Sequence, residues 1–156
     1  MGLACFLLGW VNRYQHGPEL IMRAVSLLLA LLVALAAPAS AADEVAAAQS
    51  VIRSQEQAFS RDDAAAAYSY AAPEIHEMFP QADIFMFMVQ NSYAPVYRHK
   101  SFEFGEARVS SGKIAQQVRI VDADGVPWDA LYTLEQEPDG SLKISGCVLI
   151  KVGQGA

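Results

Sequence analysis

The sequence predicts an α+β domain in which about three N-terminal helices pack on a curved four-stranded antiparallel meander. Between residues 43 and 92 the chain is rich in alanine and repeats apolar residues at helical steps of three and four. After residue 100 it alternates apolar and polar residues, and three recurring glycine turns divide it into strands. With 156 residues, the chain has room for a single domain of this class.

A signal peptide is predicted ahead of that domain. Met22-Arg23 supplies a short basic start, residues 24–36 are apolar apart from Ser26, and small residues from Pro38 to Ala41 end the segment. The apolar run is too short for a membrane span, which needs ~20 residues. We therefore expect cleavage after Ala41 and a periplasmic or secreted protein.

The predicted cleavage divides the chain into three parts. Residues 42–156 form the single α+β domain, with 9 Lys and Arg against 16 Asp and Glu and a formal net charge of −7. This domain has no basic run for nucleic acid and keeps no stable membrane span after cleavage. Residues 22–41 are the signal peptide. Residues 1–21 are interpreted as an extension from a mis-assigned start, with an unusually long signal-peptide start as the alternative.

Two helices are predicted at the start of the domain. The first begins near Asp43-Glu44, whose carboxylates suit the positive end of a helix. One face of it collects the residues that recur at helical spacing, namely Val45, Ala48, Ile52, Gln55 and Phe59. The second helix covers residues 64–70, is capped by Asp62 or Asp63, and ends before Pro73.

The third predicted helix, Ala82 to Asn91, is apolar almost all round and should be largely buried. A single proline-bracketed turn of helix, Pro73 to Pro80, is expected before it. Pro95 should push Ala94 out of helical geometry. The third helix is then expected to end before Pro95, and the chain to run extended into the first strand.

Three glycine turns set the predicted strand register. Each has glycine in fourth place, as in a type I turn followed by a left-handed glycine, which gives the three-residue loops Ser110–Gly112, Ala123–Gly125 and Pro138–Gly140. The inner face then gains one apolar row of Phe104, Val118, Ala130 and Val148 and another of Phe102, Ile120, Trp128 and Ile150. The outer face gains opposite-charge pairs, namely Glu103 with Arg119, Arg119 with Asp129, and Glu135 with Lys143.

The same register places a polar row on the inner face, made of Glu106, Gln116, Tyr132 and Gly146. Buried polar groups need partners or water, and Gly146 should leave open space beside them. The row is therefore either the floor of a polar-lined pocket or a solvated row at the open end of the sheet.

The joint between the two halves is expected to close the mouth of this pocket. Tyr93 and Tyr97 would cover the mouth, and Arg98 offers a permanent cation. That cation would meet either Glu106, as a structural clasp, or an anionic group of a ligand. The predicted ligand-binding residues are therefore Tyr93, Tyr97, Arg98, Glu106, Gln116, Trp128 and Tyr132.

Several stretches of the predicted mature chain resemble a bacterial family of exported proteins, catalogued as domain of unknown function 4864. These stretches are Ala48 to Gln55, Phe59, Asp62 to Tyr68, Tyr93 to Arg98, Ala130 to Tyr132, Gln136 to Ser141 and Ile144 to Leu149. The resemblance implies export and a nuclear transport factor 2-like (cystatin-like) cone, but no reaction. Cones of this kind often hold an apolar cavity, and some are isomerases or dehydratases that use carboxylate, His or Tyr groups.

No catalytic or metal-binding motif stands out, and two scattered histidines, His76 and His99, do not make a metal site. We therefore expect no cofactor, and favour an exported ligand-binding or accessory protein with a small-molecule or protein partner over an enzyme. One alternative is an isomerase- or dehydratase-like enzyme that uses Glu106 and Tyr132. Another is a structural homodimer through the outer sheet face, where Cys147, Leu131 and Leu149 are expected.

Overall fold

A computed structural model of the chain describes residues 40–153, which form helices packed on one antiparallel sheet. Its elements are α1 (Ala41–Ser60), α2 (Ala64–Ser69), α3 (Pro73–Met78), α4 (Ala82–Ser92), α5 (Ala94–Tyr97), β1 (His99–Ser110), β2 (Lys113–Asp122), β3 (Pro127–Gln136) and β4 (Leu142–Lys151). The predicted extension, and the predicted signal peptide up to Ala39, lie outside the described residues.

The first helix begins two residues before the predicted start because Ser40 caps it. The Ser40 hydroxyl accepts a hydrogen bond from the Asp43 backbone N–H at 3.3 Å, and the Asp43 carboxylate accepts one from the Ser40 N–H at 3.2 Å. This reciprocal pair is a capping box. The predicted inner face of α1 is confirmed at the four positions that are buried, which are Ala48, Ile52, Gln55 and Phe59.

The structure has five helices between residues 40 and 153, more than the three that the sequence predicted. The predicted cap of α2 is confirmed, since the Asp63 carboxylate accepts a hydrogen bond from the Ala66 N–H at 3.0 Å. The short α3 corresponds to the single turn of helix predicted from Pro73 to Pro80, whereas α5 was not predicted. The prediction of an extended chain at Ala94 is wrong, because Pro95 lies in the first turn of α5, where its missing N–H needs no partner.

The sheet is the predicted meander, with strand order β1-β2-β3-β4 and antiparallel neighbours. Gly112, Gly125 and Gly140 have the predicted left-handed backbone, with φ of +76°, +86° and +84°. The predicted register between β2 and β3 is confirmed throughout, including Val118 opposite Ala130 and Ile120 opposite Trp128. The three predicted opposite-charge pairs are confirmed as well.

The register of β1 contains two compensating departures. Its turn is one residue shorter than predicted, because Ser110 pairs with Lys113 and the loop is Ser111-Gly112, both with positive φ, as in a type I′ hairpin turn. A bulge between Phe104 and Ala107 places one extra residue in β1, which compensates for the shorter turn. The predicted pair of Phe104 with Val118 is therefore still correct.

Between the bulge and the turn, however, the predicted inner row is wrong. Ala107, and not Glu106, pairs with Gln116. Side chains alternate between the two faces of a strand, so Glu106 points to the outer face, where it is exposed.

A second bulge changes which side chains of β4 face inward. Leu134 pairs with Ile144, but Thr133 pairs with Gly146, which leaves Ser145 as the extra residue. Glycine suits this position, because a Cβ on Gly146 would lie 2.9 Å from the Thr133 hydroxyl oxygen. Thr133 therefore fills the space beside Gly146 on the outer face, while the inner side of Gly146 borders a cavity.

Because of this bulge, the predicted inner positions of Val148 and Ile150 are wrong, and so is the outer position of Cys147 and Leu149. Leu149 lies opposite Ala130 and Cys147 opposite Tyr132, so both belong to the inner face. Val148 and Ile150 are exposed on the outer face.

The core lies between the helices and the inner sheet face. It includes Ile52 and Phe59 from α1, Phe85 and Val89 from α4, and Val118, Ile120, Ala130, Tyr132 and Leu134 from the sheet. The segment before α3 is tied to the edge of β4, where the Ile144 N–H donates to the Tyr70 carbonyl at 2.9 Å and the Ala72 N–H donates to the Ile144 carbonyl at 2.8 Å. None of the helices within residues 40–153 is both long and apolar enough to cross a bilayer.

Candidate functional site

A cavity of about 320 Å³ lies between the helices and the inner face of β3 and β4. Small-molecule sites typically measure ~300–1,000 Å³, so this one suits a small ligand. Its apolar walls are Phe59, Ile75, Met78, Phe79, Phe85, Met88, Val89, Val96 and Ile144. Its other lining residues are polar or small but uncharged, namely Gln55, Tyr93, Tyr132, Ser145, Gly146 and Cys147.

Cys147 is the centre of the polar side of this cavity. The Tyr93 hydroxyl donates a hydrogen bond to the Cys147 carbonyl at 3.0 Å. Tyr132 lies directly opposite Cys147 on the neighbouring strand, and both side chains face the cavity. The bulge at Ser145 turns Cys147 inward, so both tyrosines contact one residue of β4.

Burial keeps these three side chains neutral. It raises the pKa of the Cys147 thiol to about 12, and the hydrogen bond from Tyr132 offsets only part of this effect. Burial, followed by the neighbouring Cys147, raises the pKa of Tyr132 well above its ordinary value. Burial is also the main cause of the raised pKa of Tyr93. At neutral pH this side of the cavity therefore offers hydroxyls and an unreactive thiol, and no charged group.

Gln55 supplies the amide of the cavity. Its side chain is only 4% exposed, and its Nε2 donates to the Ala67 carbonyl at 3.1 Å. That hydrogen bond fixes the orientation of the amide, because only the nitrogen can donate to a carbonyl. Gln55 lies on the same helix face as Ile52 and Phe59, so the packing of α1 aims a polar group into an apolar cavity.

Two of the seven predicted ligand-binding residues, Tyr93 and Tyr132, line the cavity. Tyr97 and Arg98 instead form a clasp with Asp62, in the loop after α1. Arg98 Nη2 lies 2.6 Å from Asp62 Oδ1, and Arg98 Nη1 donates to the Phe59 carbonyl at 2.8 Å. The Tyr97 hydroxyl donates to the same carboxylate, and the Arg98 guanidinium carbon lies 3.7 Å from the centroid of the Tyr97 ring.

In this clasp the positive charge of Arg98 is paired with the negative charge of Asp62. The hydrogen bonds from Tyr97 and Arg98 lower the pKa of the Asp62 carboxyl below its ordinary value. Arg98 therefore links α5 to the end of α1, and its predicted pairing with Glu106 is wrong.

Gln116 is fully buried, but its amide stabilises the β1 bulge. Its Nε2 lies 3.1 Å from the Gly105 carbonyl oxygen, 3.3 Å from that of Glu106 and 2.8 Å from that of Gln117. Its Oε1 accepts a hydrogen bond from Gln49 Nε2 at 3.1 Å. These bonds use both N–H donors of the amide and one acceptor site of Oε1, and Gln116 is not among the cavity-lining residues.

Glu106 and Trp128 also lie away from the cavity. Glu106 is exposed on the outer face, whereas Tyr132 is 2% exposed on the inner face. The sheet separates them, so the predicted catalytic pair is not assembled. Trp128 packs at the β2–β3 turn, where its Nε1 donates to Asp122 Oδ2 at 2.8 Å.

Sequence reasoning missed Gln55 and Cys147 as cavity residues. Gln55 had a detectable signal, since it is an amide within the apolar face predicted for α1. Cys147 had none, because its inward direction depends on a bulge that alternation does not reveal. In residues 40–153, no group of three or more His, Cys, Asp or Glu side chains could hold a metal ion.

Comparison with protein families gives a match over most of the chain. Residues 41–155 match the family model described as Domain of unknown function (DUF4864). The chain belongs to this family. The match runs from the first residue of α1 past the end of β4, so it includes every element that frames the cavity. It confirms the resemblance to this family of unknown function. No curated protein and no solved structure matches the chain.

Proposed function

We propose that the protein binds a small, uncharged, mainly apolar ligand in the cavity between the helices and the sheet. The observation that carries this proposal is the lining, in which none of the 15 residues is Asp, Glu, Lys, Arg or His. An ion in such a site would lose its hydration and gain no counter-charge. An apolar ligand would gain roughly 25 cal/mol for each Å² of surface removed from water.

Exposed apolar side chains beside the cavity support this proposal. Met78 lines the cavity and is nevertheless 65% exposed, which indicates an opening beside α3. On α4, Ile84 and Phe87 are exposed next to the lining residue Met88, and Phe87 is 68% exposed. An apolar rim of this kind favours entry of an apolar molecule.

A cavity-filling substitution tests the proposal. Toluene is a small neutral probe. It is expected to shift the amide NMR signals of the cavity residues in the wild-type protein, and these shifts should reach a plateau as the toluene concentration rises. In Met88→Trp the indole takes up part of the cavity, so the affinity for toluene should fall at least tenfold, equivalent to about 1.4 kcal/mol. Phe87→Trp, which adds an indole to the exposed neighbour on the same helix, should bind toluene like the wild type.

Thermal unfolding of both variants shows that they remain folded under the titration conditions. Equal toluene affinity in Met88→Trp and Phe87→Trp would place the probe outside the cavity and contradict the proposal.

The structure weakens the basis of the enzyme alternative. That alternative needed Glu106 beside Tyr132, and Glu106 lies on the other face of the sheet. The lining contains no carboxylate or histidine to act as a general acid or base near neutral pH. We therefore favour binding over isomerase or dehydratase chemistry.

Homodimer formation is a second proposal, supported by the outer face of β3 and β4. Leu131, Val148 and Ile150 are exposed there side by side, with Leu131 directly opposite Val148. Strand β4 is an edge of the sheet, and an apolar edge strand can pair with another copy of itself. Antiparallel pairing of β4 with β4 would join the two apolar patches around one two-fold axis.

We also propose export with cleavage after Ala41, and a nuclear transport factor 2-like cone for the mature domain. The family match begins at Ala41, beside the predicted cleavage site. Native mass spectrometry of protein from its own cells tests export and dimerisation together. The expected mass is that of residues 42–156, in two copies. A mass that includes residues 22–41 would contradict cleavage, and a monomer at high concentration would contradict the dimer.

A further inference from the structure

The amide of Gln55 has an acceptor that the fold does not use. Nε2 is engaged with the Ala67 carbonyl, whereas no donor from residues 40–153 reaches Oε1. The side chain is 96% buried and lines the cavity. A ligand that donates a hydrogen bond to Oε1 would gain a net ~0.5–1.5 kcal/mol.

The Tyr132 hydroxyl provides a donor in the same cavity. It is buried, it stays protonated at neutral pH because burial raises its pKa, and Cys147 lies directly opposite Tyr132 on the neighbouring strand. A thiol sulfur is a weak acceptor, so an oxygen of a ligand would compete well for this hydrogen. The Tyr93 hydroxyl is different, because its hydrogen is already donated to the Cys147 carbonyl at 3.0 Å.

Gln55 Oε1 and the Tyr132 hydroxyl therefore give the cavity an open acceptor and an available donor, and the lining carries no charge. We infer that the ligand is a neutral alcohol, and this inference rests on the proposed function. The alcohol has an apolar body, and its hydroxyl donates to Gln55 Oε1 and accepts from the Tyr132 hydroxyl. An ether or ketone can accept but cannot donate to Gln55. A carboxylate would bring a negative charge into a lining that holds no cation.

The cavity volume limits the size of this alcohol. If each non-hydrogen atom takes roughly 30 Å³, the share of one molecule in liquid water, then about 320 Å³ holds about ten such atoms. Straight-chain 1-octanol has a suitable size. Its isomer 1-methoxyheptane has the same atoms and no O–H, which makes it a matched control.

Calorimetric titration of the wild-type protein with 1-octanol, 1-methoxyheptane and octanoate tests the inference. A net hydrogen bond of ~0.5–1.5 kcal/mol corresponds to about a two- to tenfold preference for 1-octanol over its isomer. Octanoate should bind more weakly than both at a pH where it is ionised. In Gln55→Met the preference for 1-octanol should disappear, while the affinity for 1-methoxyheptane should change less than about twofold.

Tyr132→Phe gives a second readout, and it keeps Gln55 bonded to Ala67. This variant should weaken the binding of both isomers by a similar factor, because both accept a hydrogen bond from Tyr132. If Gln55→Met does not fold, the affinities of the wild-type protein for the two isomers still test the alcohol inference.

The outcomes separate the inference from the proposed function. Equal affinity for the two isomers, or tightest binding of octanoate, would overturn the alcohol inference. Binding of toluene in the cavity would leave the proposed function standing in either case. Failure of toluene and of all three probes to bind would overturn the proposed function itself.

Discussion

Cys147 is expected to react with iodoacetamide about a thousandfold more slowly in the folded protein than in the unfolded chain at about pH 8. The thiolate is the reacting form, and burial raises the pKa of this thiol from 9.0 to about 12. Each unit of pKa lowers the thiolate fraction tenfold at a pH below both values. The rate in the folded protein should therefore keep rising with pH up to about 12.

Mass spectrometry of time-quenched samples measures this rate, because Cys147 is the only cysteine of residues 42–156. The same protein in concentrated urea serves as the control with an unperturbed thiol. A folded rate within tenfold of the urea rate would contradict the inward, partly buried position of Cys147.

The same pKa shift fixes how stability depends on pH. The folded state holds the Cys147 proton more tightly than the unfolded state, so the stabilisation is complete below the unfolded pKa of 9.0. It is then lost as the pH rises from about 9 towards the folded pKa of about 12. The raised pKa of Tyr132 acts in the same direction at alkaline pH.

Gln116→Leu is expected to lower the free energy of unfolding by ~3 kcal/mol, the upper part of the range for an unmet buried hydrogen-bonding group. The substitution removes the amide from the carbonyls of the β1 bulge and leaves Gln49 without its acceptor. Leucine has a similar size, so the loss reflects hydrogen bonds rather than a cavity. Urea unfolding of both proteins measures the difference.

Gln117→Leu is the matched control for Gln116→Leu, one residue away on the opposite face. Its Nε2 makes a single part-buried hydrogen bond, to Asp129 Oδ1 at 3.2 Å. We expect this variant to lose less than ~1 kcal/mol. Equal losses in the two variants would show that Gln116 has no special role in the bulge.

The sequence predicted the parts of the fold that local rules determine. The meander follows from alternation and from the three left-handed glycines, and the β2–β3 register follows from a loop with no bulge near it. The two bulges could not be predicted in the same way, because alternation cannot reveal an extra residue. The bulge in β1 depends on the amide of Gln116 in the next strand, and the bulge in β4 brings Gly146 against Thr133.

The candidate site was predicted only where it did not depend on those bulges. Tyr93 and Tyr132 line the cavity as expected. Glu106 lies on the outer face instead of the predicted inner face, and Cys147 lies on the inner face instead of the predicted outer face. Arg98 pairs with Asp62, which lies 36 residues earlier in the chain, so no local sequence pattern indicates this pair. Gln55 could have been recognised as a polar residue in an apolar helix face.

The central claim is that the cavity beside Cys147 binds a small neutral molecule. A crystal structure of the wild-type protein grown with 1-octanol tests it most directly. We predict electron density for the alkyl chain between Phe59, Phe85 and Val89, with its oxygen within hydrogen-bonding distance of Gln55 Oε1 and the Tyr132 hydroxyl. Density for 1-octanol only on the outer face, or an empty cavity at saturating 1-octanol, would contradict the claim.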